Sequence, residues 1–206
     1  MNKLLFIDGR NFIGKLKEAL SMEGYTKGQI SEELWPRFDF RKLLETALNG
    51  IPITQVQFYF GRLREHDQTL DKSRYLIQQQ RLLKTHLERS GYKVNLVGAV
   101  RANFTTDANG KDVLVFKEKG ADVSIAVDMV LLACAGAIGT AILASSDSDM
   151  QPAVKALKEK HVETIYLGFE VAPNKGLTAT CSRTILIRNS EVVGCMPQEL
   201  PIRPTT

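Results

Sequence analysis

Short apolar runs alternate with segments of helical period along most of the chain, and this alternation constrains the fold more than any other feature. Lys3 to Asp8 (KLLFID) is an apolar run closed by an acid and by Gly9, and it reads as a buried strand. Asn11 to Glu23 then spaces Phe12, Leu16, Ala19 and Leu20 along one helix face. A second helix is predicted after Pro36, stopping near Asn49 and Gly50 with Pro52 just beyond. Thr54 to Phe60 alternates like a strand, and Asp67 to Arg89 reads as a long polar helix. After Gly91, Tyr92 to Val100 is predicted as one strand. The loop from Asn103 to Gly110 and the apolar run Val113 to Phe116 then form a loop or hairpin excursion. Asp122 to Ala135 is nearly continuously apolar, which suits a helix buried on most sides. Gly139 to Ser146, Val162 to Phe169 and Thr184 to Arg188 are further strands, and a helix containing Met150, Ala153, Val154 and Leu157 lies between the first two. Strands joined by crossover helices predict an α/β fold with a mainly parallel central sheet sandwiched by helices. Such sheets bind their ligands beyond the carboxyl ends of the strands.

The chain has 206 residues, which suits one domain over about 1–190 followed by a proline-bearing tail over 191–206. Its apolar runs are far shorter than the roughly 18 residues of a membrane span. Only four apolar residues follow Met1 before Asp8, too few for a signal-peptide core, so no membrane association and a cytoplasmic location are expected. Cys134, Cys181 and Cys195 lack paired spacing and the histidines are scattered, which argues against disulfides and structural zinc. The formal charge of +4 is concentrated between Phe58 and Lys93, where eight basic residues face four acidic ones. That segment could meet a polyanion or could be a solvated helix face laced with ion pairs.

The acids fall where a parallel sheet places its chemistry. Asp8 closes the first strand, Asp147 and Asp149 follow the strand GTAILASS, and Asp122 opens the apolar helix. Residues two apart in an extended segment share a side, so Asp147 and Asp149 could point into one cleft. Gathering carboxylates is unfavourable: two like charges about 4 Å apart repel by roughly 4 kcal/mol at an effective dielectric near 20. A hard divalent cation, Mg²⁺ or Mn²⁺, would offset that repulsion, and it suits phosphate substrates because it keeps several waters. Each acid also has a purely structural alternative: a turn residue at Asp8, helix caps at Asp122 and Asp149. Asn11 could cap the first helix or fix the Asp8 carboxylate. Asp128 lies about 120° around the helix from Asp122, which suggests a supporting or structural role. Ser145, Ser146 and Ser148 offer donors beside the acidic pair. Arg62, Arg64, Lys117 and Lys119 are candidates to meet a nucleic-acid backbone, and Tyr59, Phe60 or Tyr75 could stack on bases or belong to the core.

Three segments in order, FIDGRN (Phe6 to Asn11), KEKGADVSIAVDMV (Lys117 to Val130) and ASSDSDM (Ala144 to Met150), resemble the signature blocks of the NYN domain, the LabA-like branch of the PIN-like nuclease superfamily. The likeness spans roughly Asn2 to Phe169. It implies a PIN-like, Rossmann-like three-layer fold and a metal-dependent ribonuclease site. Asp8, Asp122, Asp147 and Asp149 would be the catalytic, metal-binding acids, with Asn11, Ser146 and Asp128 in support. Ser146 stands at a usual Gly and Met150 at a usual Phe. RNA is the implied partner, and an assembly with further copies or with another protein is compatible with it. Two other readings remain: an RNA-binding or scaffold module with the fold but little turnover, and a phosphatase using Asp8. The phosphatase lacks a second Asp two positions on, where Arg10 stands.

Overall fold

The computed structural model describes residues 1–65, 70–106 and 112–197, and the side chains of 99, 101–106 and 112–118 are not described. The expected helix start at Asp67, the centre of the 103–110 loop, the Lys117 side chain and the tail beyond 197 lie outside this set.

β1 (Asn2–Asp8) alternates in a way that fixes the layering. Leu5 and Ile7 enter one apolar core, Leu4 and Phe6 the other, and all four are buried. A strand with both faces buried belongs at the centre of a covered sheet. It pairs in parallel with β2 (Gln55–Gly61) on one side and β6 (Ile138–Ala144) on the other. The six-stranded, all-parallel sheet has the order β3-β2-β1-β6-β7-β8, with β3 at Lys93–Val97, β7 at Glu163–Phe169 and β8 at Arg183–Ile187. The chain winds outward from β1 through β2 to β3, then returns to β6 and winds the other way. The switch point therefore lies between β1 and β6, which is where a parallel sheet opens a crevice at its carboxyl edge.

Helices cover both faces, giving the three-layer α/β fold. α1 (Gly9–Met22), α2 (Phe40–Ala47) and α3 (Leu70–Arg89) pack Phe12, Leu16, Leu43 and Leu87 into the core on the Leu5 side. Trp35, in a 3-10 turn over Trp35–Arg37, joins them. α4 (Ala121–Cys134) and α5 (Gln151–Glu159) pack Ile125, Met129, Val154 and Leu157 on the Leu4 side. Two short helices escape the sequence pattern: α6 (Lys175–Thr180), whose Leu177 joins the second core, and α7 (Asn189–Val193), whose Val192 joins the first. Cys195, beyond α7, is buried as well, and its carbonyl accepts from the Asp39 amide at 3.1 Å.

Two expectations need correction. The predicted strand Tyr92 to Val100 is broken at Gly98, whose φ is +60° and whose added Cβ would stand 2.1 Å from the Lys119 carbonyl oxygen. β4 (Ala99–Thr106) therefore leaves the sheet and pairs antiparallel with β5 (Asp112–Lys119), forming a hairpin that returns the chain to α4. The apolar helix α4 is not buried on most sides. Ile125, Met129 and Ala133 face the core, while Val123, Val127 and Leu131 are exposed, because no layer among the described residues covers α4 from outside. Among the described residues no helix is long and apolar enough to cross a membrane.

Candidate functional site

The carboxyl edge of the sheet at the switch point holds the site. Asp8 ends β1 and is also the N-cap of α1: its Oδ1 accepts from the Asn11 amide at 3.1 Å. An acid suits this place because the first amides of a helix lack intrahelical partners and the helix end carries partial positive charge. Asp147 follows β6 and caps the 3-10 turn Ser148–Met150, accepting from the Asp149 amide at 2.9 Å. Asp122 occupies the first turn of α4, after Gly120 at φ +90°.

Asp8, Asp122 and Asp147 line one open cleft of 720 Å³, together with Asn11, Lys119 and Ser146. The Asp8 carboxyl pKa is raised, first by burial and then by the charges of Asp122 and Asp147, against the lowering effect of amide bonds from Asn11 and Arg10. Three carboxylates from three separate sequence blocks thus share one electrostatic environment. Among the described residues no three acids, thiols or imidazoles form a ready-made metal cage. The donor set nevertheless fits a hydrated Mg²⁺ or Mn²⁺: all oxygen, partly desolvated, mutually repelling and open to water, with few protein ligands needed.

The cleft is held by a brace of neutral side chains. Asn11 gives its backbone amide to Asp8 and accepts the Ser146 amide on its side-chain oxygen at 2.9 Å, tying the first signature block to the third. Asn174 grips the same turn from the opposite side. Its Nδ2 donates to the Ser146 carbonyl at 2.8 Å and to Ser148 Oγ at 3.0 Å, while its Oδ1 caps α6 through the Leu177 amide. The Ser145 hydroxyl accepts from the Asp147 amide at 3.2 Å. Among the described non-glycine residues only His161 has a positive φ, so Ser146 needs no left-handed backbone where the family pattern has Gly.

Other sequence candidates lie elsewhere. Asp149 is exposed and does not line the cleft, because residues 148–150 wind as a 3-10 turn rather than running extended. Asp128 accepts the Tyr59 hydroxyl at 2.8 Å, beside a chain of amides that joins Gln55, Gln57 and Asn95. Burial, then this bond, raises the Tyr59 pKa strongly and keeps the hydroxyl protonated. Tyr59 is therefore a core residue and no stacking surface. Arg62 and Arg64 are exposed just beyond β2, and Arg64 lines a groove with Arg74 and Arg81. Sequence reasoning missed Asn174, and it missed Lys15 and Glu18, which line the cleft as an ion pair of 2.7 Å. The Lys15 and Glu18 spacing on α1 was a legible signal; Asn174 gave none beyond a polar residue ahead of a short helix.

The fold recurs in a solved structure, that of a protein of unknown function from Vibrio parahaemolyticus. It shares 16% identity, covers 90% of this chain and 92% of its own, and has a TM-score of 0.57. No curated protein matches the chain. The NYN domain profile matches residues 3–188, spanning β1, the acidic cleft and all six strands of the parallel sheet, and the chain belongs to the NYN domain family.

Proposed function

We propose that the protein is a metal-dependent endoribonuclease that hydrolyses RNA phosphodiester bonds in the cleft of Asp8, Asp122 and Asp147, with Mg²⁺ or Mn²⁺ as cofactor. The observation that carries this reading is the convergence of the three carboxylates at the switch point, where burial first, and then the negative charges of Asp122 and Asp147, make the Asp8 carboxylate harder to ionise. Membership of a PIN-like nuclease family supports it. A bound divalent ion would supply charge neutralisation at the phosphate and a water more easily deprotonated than bulk water. Asp8, Asp122 and Asp147 would hold it, with Asp149 adding to the local negative field from outside the cleft.

The chain's own residues then do the positioning. Asn11 and Asn174 hold the turn that carries Asp147, so its carboxylate keeps its direction as substrate arrives. Lys119, on the cleft wall, faces the scissile phosphate. Arg62 and Arg64 hold the RNA backbone beyond the cleft, with Arg74 and Arg81 extending the groove. The open acidic set, with Asp149 outside it, also fits an RNA-binding or scaffold module with little turnover. A labelled RNA panel separates the two. The enzyme cleaves with Mg²⁺ or Mn²⁺ and stops with chelator, and Asp147→Asn loses at least the 10–100-fold that removing a supporting metal contact typically costs. Equal cleavage by wild type and Asp147→Asn rejects the assignment.

A further inference from the structure

Beside the acidic cleft lies a second, more enclosed cavity of 370 Å³, in the size range of small-molecule pockets, about 300–1,000 Å³. Its walls are mainly apolar: Phe60 from the end of β2, Leu63 just beyond it, and Leu76 and Leu83 from α3. Trp35 closes it, and the Trp35 indole Nε1 is buried with no hydrogen-bond partner among the described residues. Buried donors are normally satisfied, so an orphaned indole N–H needs an explanation. Gln79 lines the cavity from α3, half-buried and forming no hydrogen bond among the described residues. Its neighbour Gln80 is already engaged, donating to the Gly61 carbonyl at 2.8 Å. The charged pair on the wall, Lys17 and Glu32, is joined at 2.6 Å and satisfies itself. Apart from Arg10, at the border with the acidic cleft, the chemistry left open is apolar, with one amide uncommitted among the described residues.

The position of the cavity selects its occupant. Arg10 and Gly14 line both this cavity and the acidic cleft, and Leu63 lines both this cavity and the arginine groove of Arg64, Arg74 and Arg81. The sequence along the carboxyl edge is therefore acidic cleft, apolar pocket, basic groove. A polynucleotide alternates the matching groups: phosphate, uncharged heteroaromatic base, phosphate. A lipid tail would satisfy the apolar walls and leave the Gln79 amide unused. A lone phosphate would have no use for Phe60 or Leu76.

We infer that this cavity is a nucleobase pocket, which takes the base next to the scissile phosphate and reads it through the Gln79 amide. The inference rests on the nuclease reading for its orientation, with Arg10 as the residue between base and phosphate. Bases are commonly recognised in single-stranded RNA by splaying them into pockets with polar contacts to their edges.

Trp35 is the single tryptophan of the chain, so its fluorescence reports this pocket alone. The full-length protein with Mg²⁺ is titrated with each of the four ribonucleoside 5′-monophosphates, and with ribose 5-phosphate as the baseless control. The expected result is a saturable change in Trp35 emission with at least one nucleotide and none with ribose 5-phosphate. Gln79→Leu, near-isosteric and on a half-exposed helix face, should weaken that nucleotide about tenfold, the usual effect of losing one buried hydrogen bond. Absence of any saturable change, an equal response to ribose 5-phosphate, or unaltered affinity in Gln79→Leu overturns the pocket. RNA cleavage measured alongside keeps the two proposals apart. Cleavage without a Trp35 response removes the base pocket and leaves the nuclease; a base-dependent response without cleavage does the reverse.

Discussion

Asp8 serves two masters, and substitutions there separate them. As the N-cap of α1 it accepts the Asn11 amide at 3.1 Å, a role that Asn performs about as well as Asp and Ala does not perform at all. As an ionised group it is desolvated and faces Asp122 and Asp147, so its folded-state pKa lies above the ordinary carboxylate value. In metal-free protein the fold therefore holds this proton to higher pH than the unfolded chain does. The group's contribution to stability is most favourable in acid and is lost as pH climbs from the unfolded carboxylate range through the raised folded value.

At pH 7 in chelator the Asp8 charge should thus be a net burden, even after the helix N-terminus returns about 0.3–1 kcal/mol for a negative charge. Each facing carboxylate adds repulsion on the order of 1 kcal/mol, the scale for two like charges about 4 Å apart in bulk water. Asp8→Asn keeps the cap and removes this burden, so its melting temperature should exceed that of wild type. Asp8→Ala also loses the cap, about 1 kcal/mol, and should melt about 2–4 °C below Asp8→Asn for a domain of this size. The advantage of Asp8→Asn over wild type should shrink as pH falls through the raised folded-state value and the wild-type carboxyl takes up its proton. Mg²⁺ should raise the wild-type midpoint by mass action and raise Asp8→Asn less. Thermal melts of the three proteins, with chelator and with Mg²⁺, read all of this. An Asp8→Asn protein no more stable than wild type at pH 7 in chelator, or an advantage that persists undiminished in acid, refutes the electrostatic account of the cleft.

Asn174→Ala should destabilise the fold by about 1–3 kcal/mol in urea denaturation, since it loses the α6 cap and both bonds to the Ser146–Ser148 turn. Asn174→Asp should keep the cap, lose the donors and still cleave RNA poorly in steady-state assays. Tyr59→Phe strips the donor from Asp128 and should cost about 1–3 kcal/mol in the same denaturation experiment, with RNA cleavage well below the midpoint unchanged. The three cysteines should separate in a thiol-reagent time course at pH 8. Cys134 is exposed and reacts first, while Cys181 and Cys195, whose thiols are pushed up to about 11 chiefly by burial, react only on unfolding.

What the sequence makes legible follows from range. The β1, β6 and β7 runs and the α1 and α5 spacings are local periodicities, and their ends place Asp8 and Asp147 at one sheet edge without any knowledge of packing. Asp149 was harder to place, because its direction depends on whether residues 148–150 are extended or wound, and Ser-Asp-Met carries no period to decide it. The α4 composition is silent on whether Val123, Val127 and Leu131 are covered, since an apolar residue looks the same in either setting. Gly98 carried more information than a strand pattern could use: its positive φ and its approach to Lys119 turn one predicted strand into the stem of a hairpin.

Asn174 marks the boundary of such reading. It stands after β7, yet its amide fixes the loop after β6, and α6 is too short to show a period of its own. Its partners are a backbone carbonyl and a hydroxyl, groups that nearly any sequence could supply, so only the fold reveals that they are within reach. The acids of the cleft are legible because charge must be placed at a sheet edge to be tolerated; the neutral side chains that aim them are not, because an amide is tolerated almost anywhere. A carboxylate cluster read from sequence thus locates a site, while its geometry depends on residues such as Asn11 and Asn174 whose importance appears only in the hydrogen bonds they make across the chain.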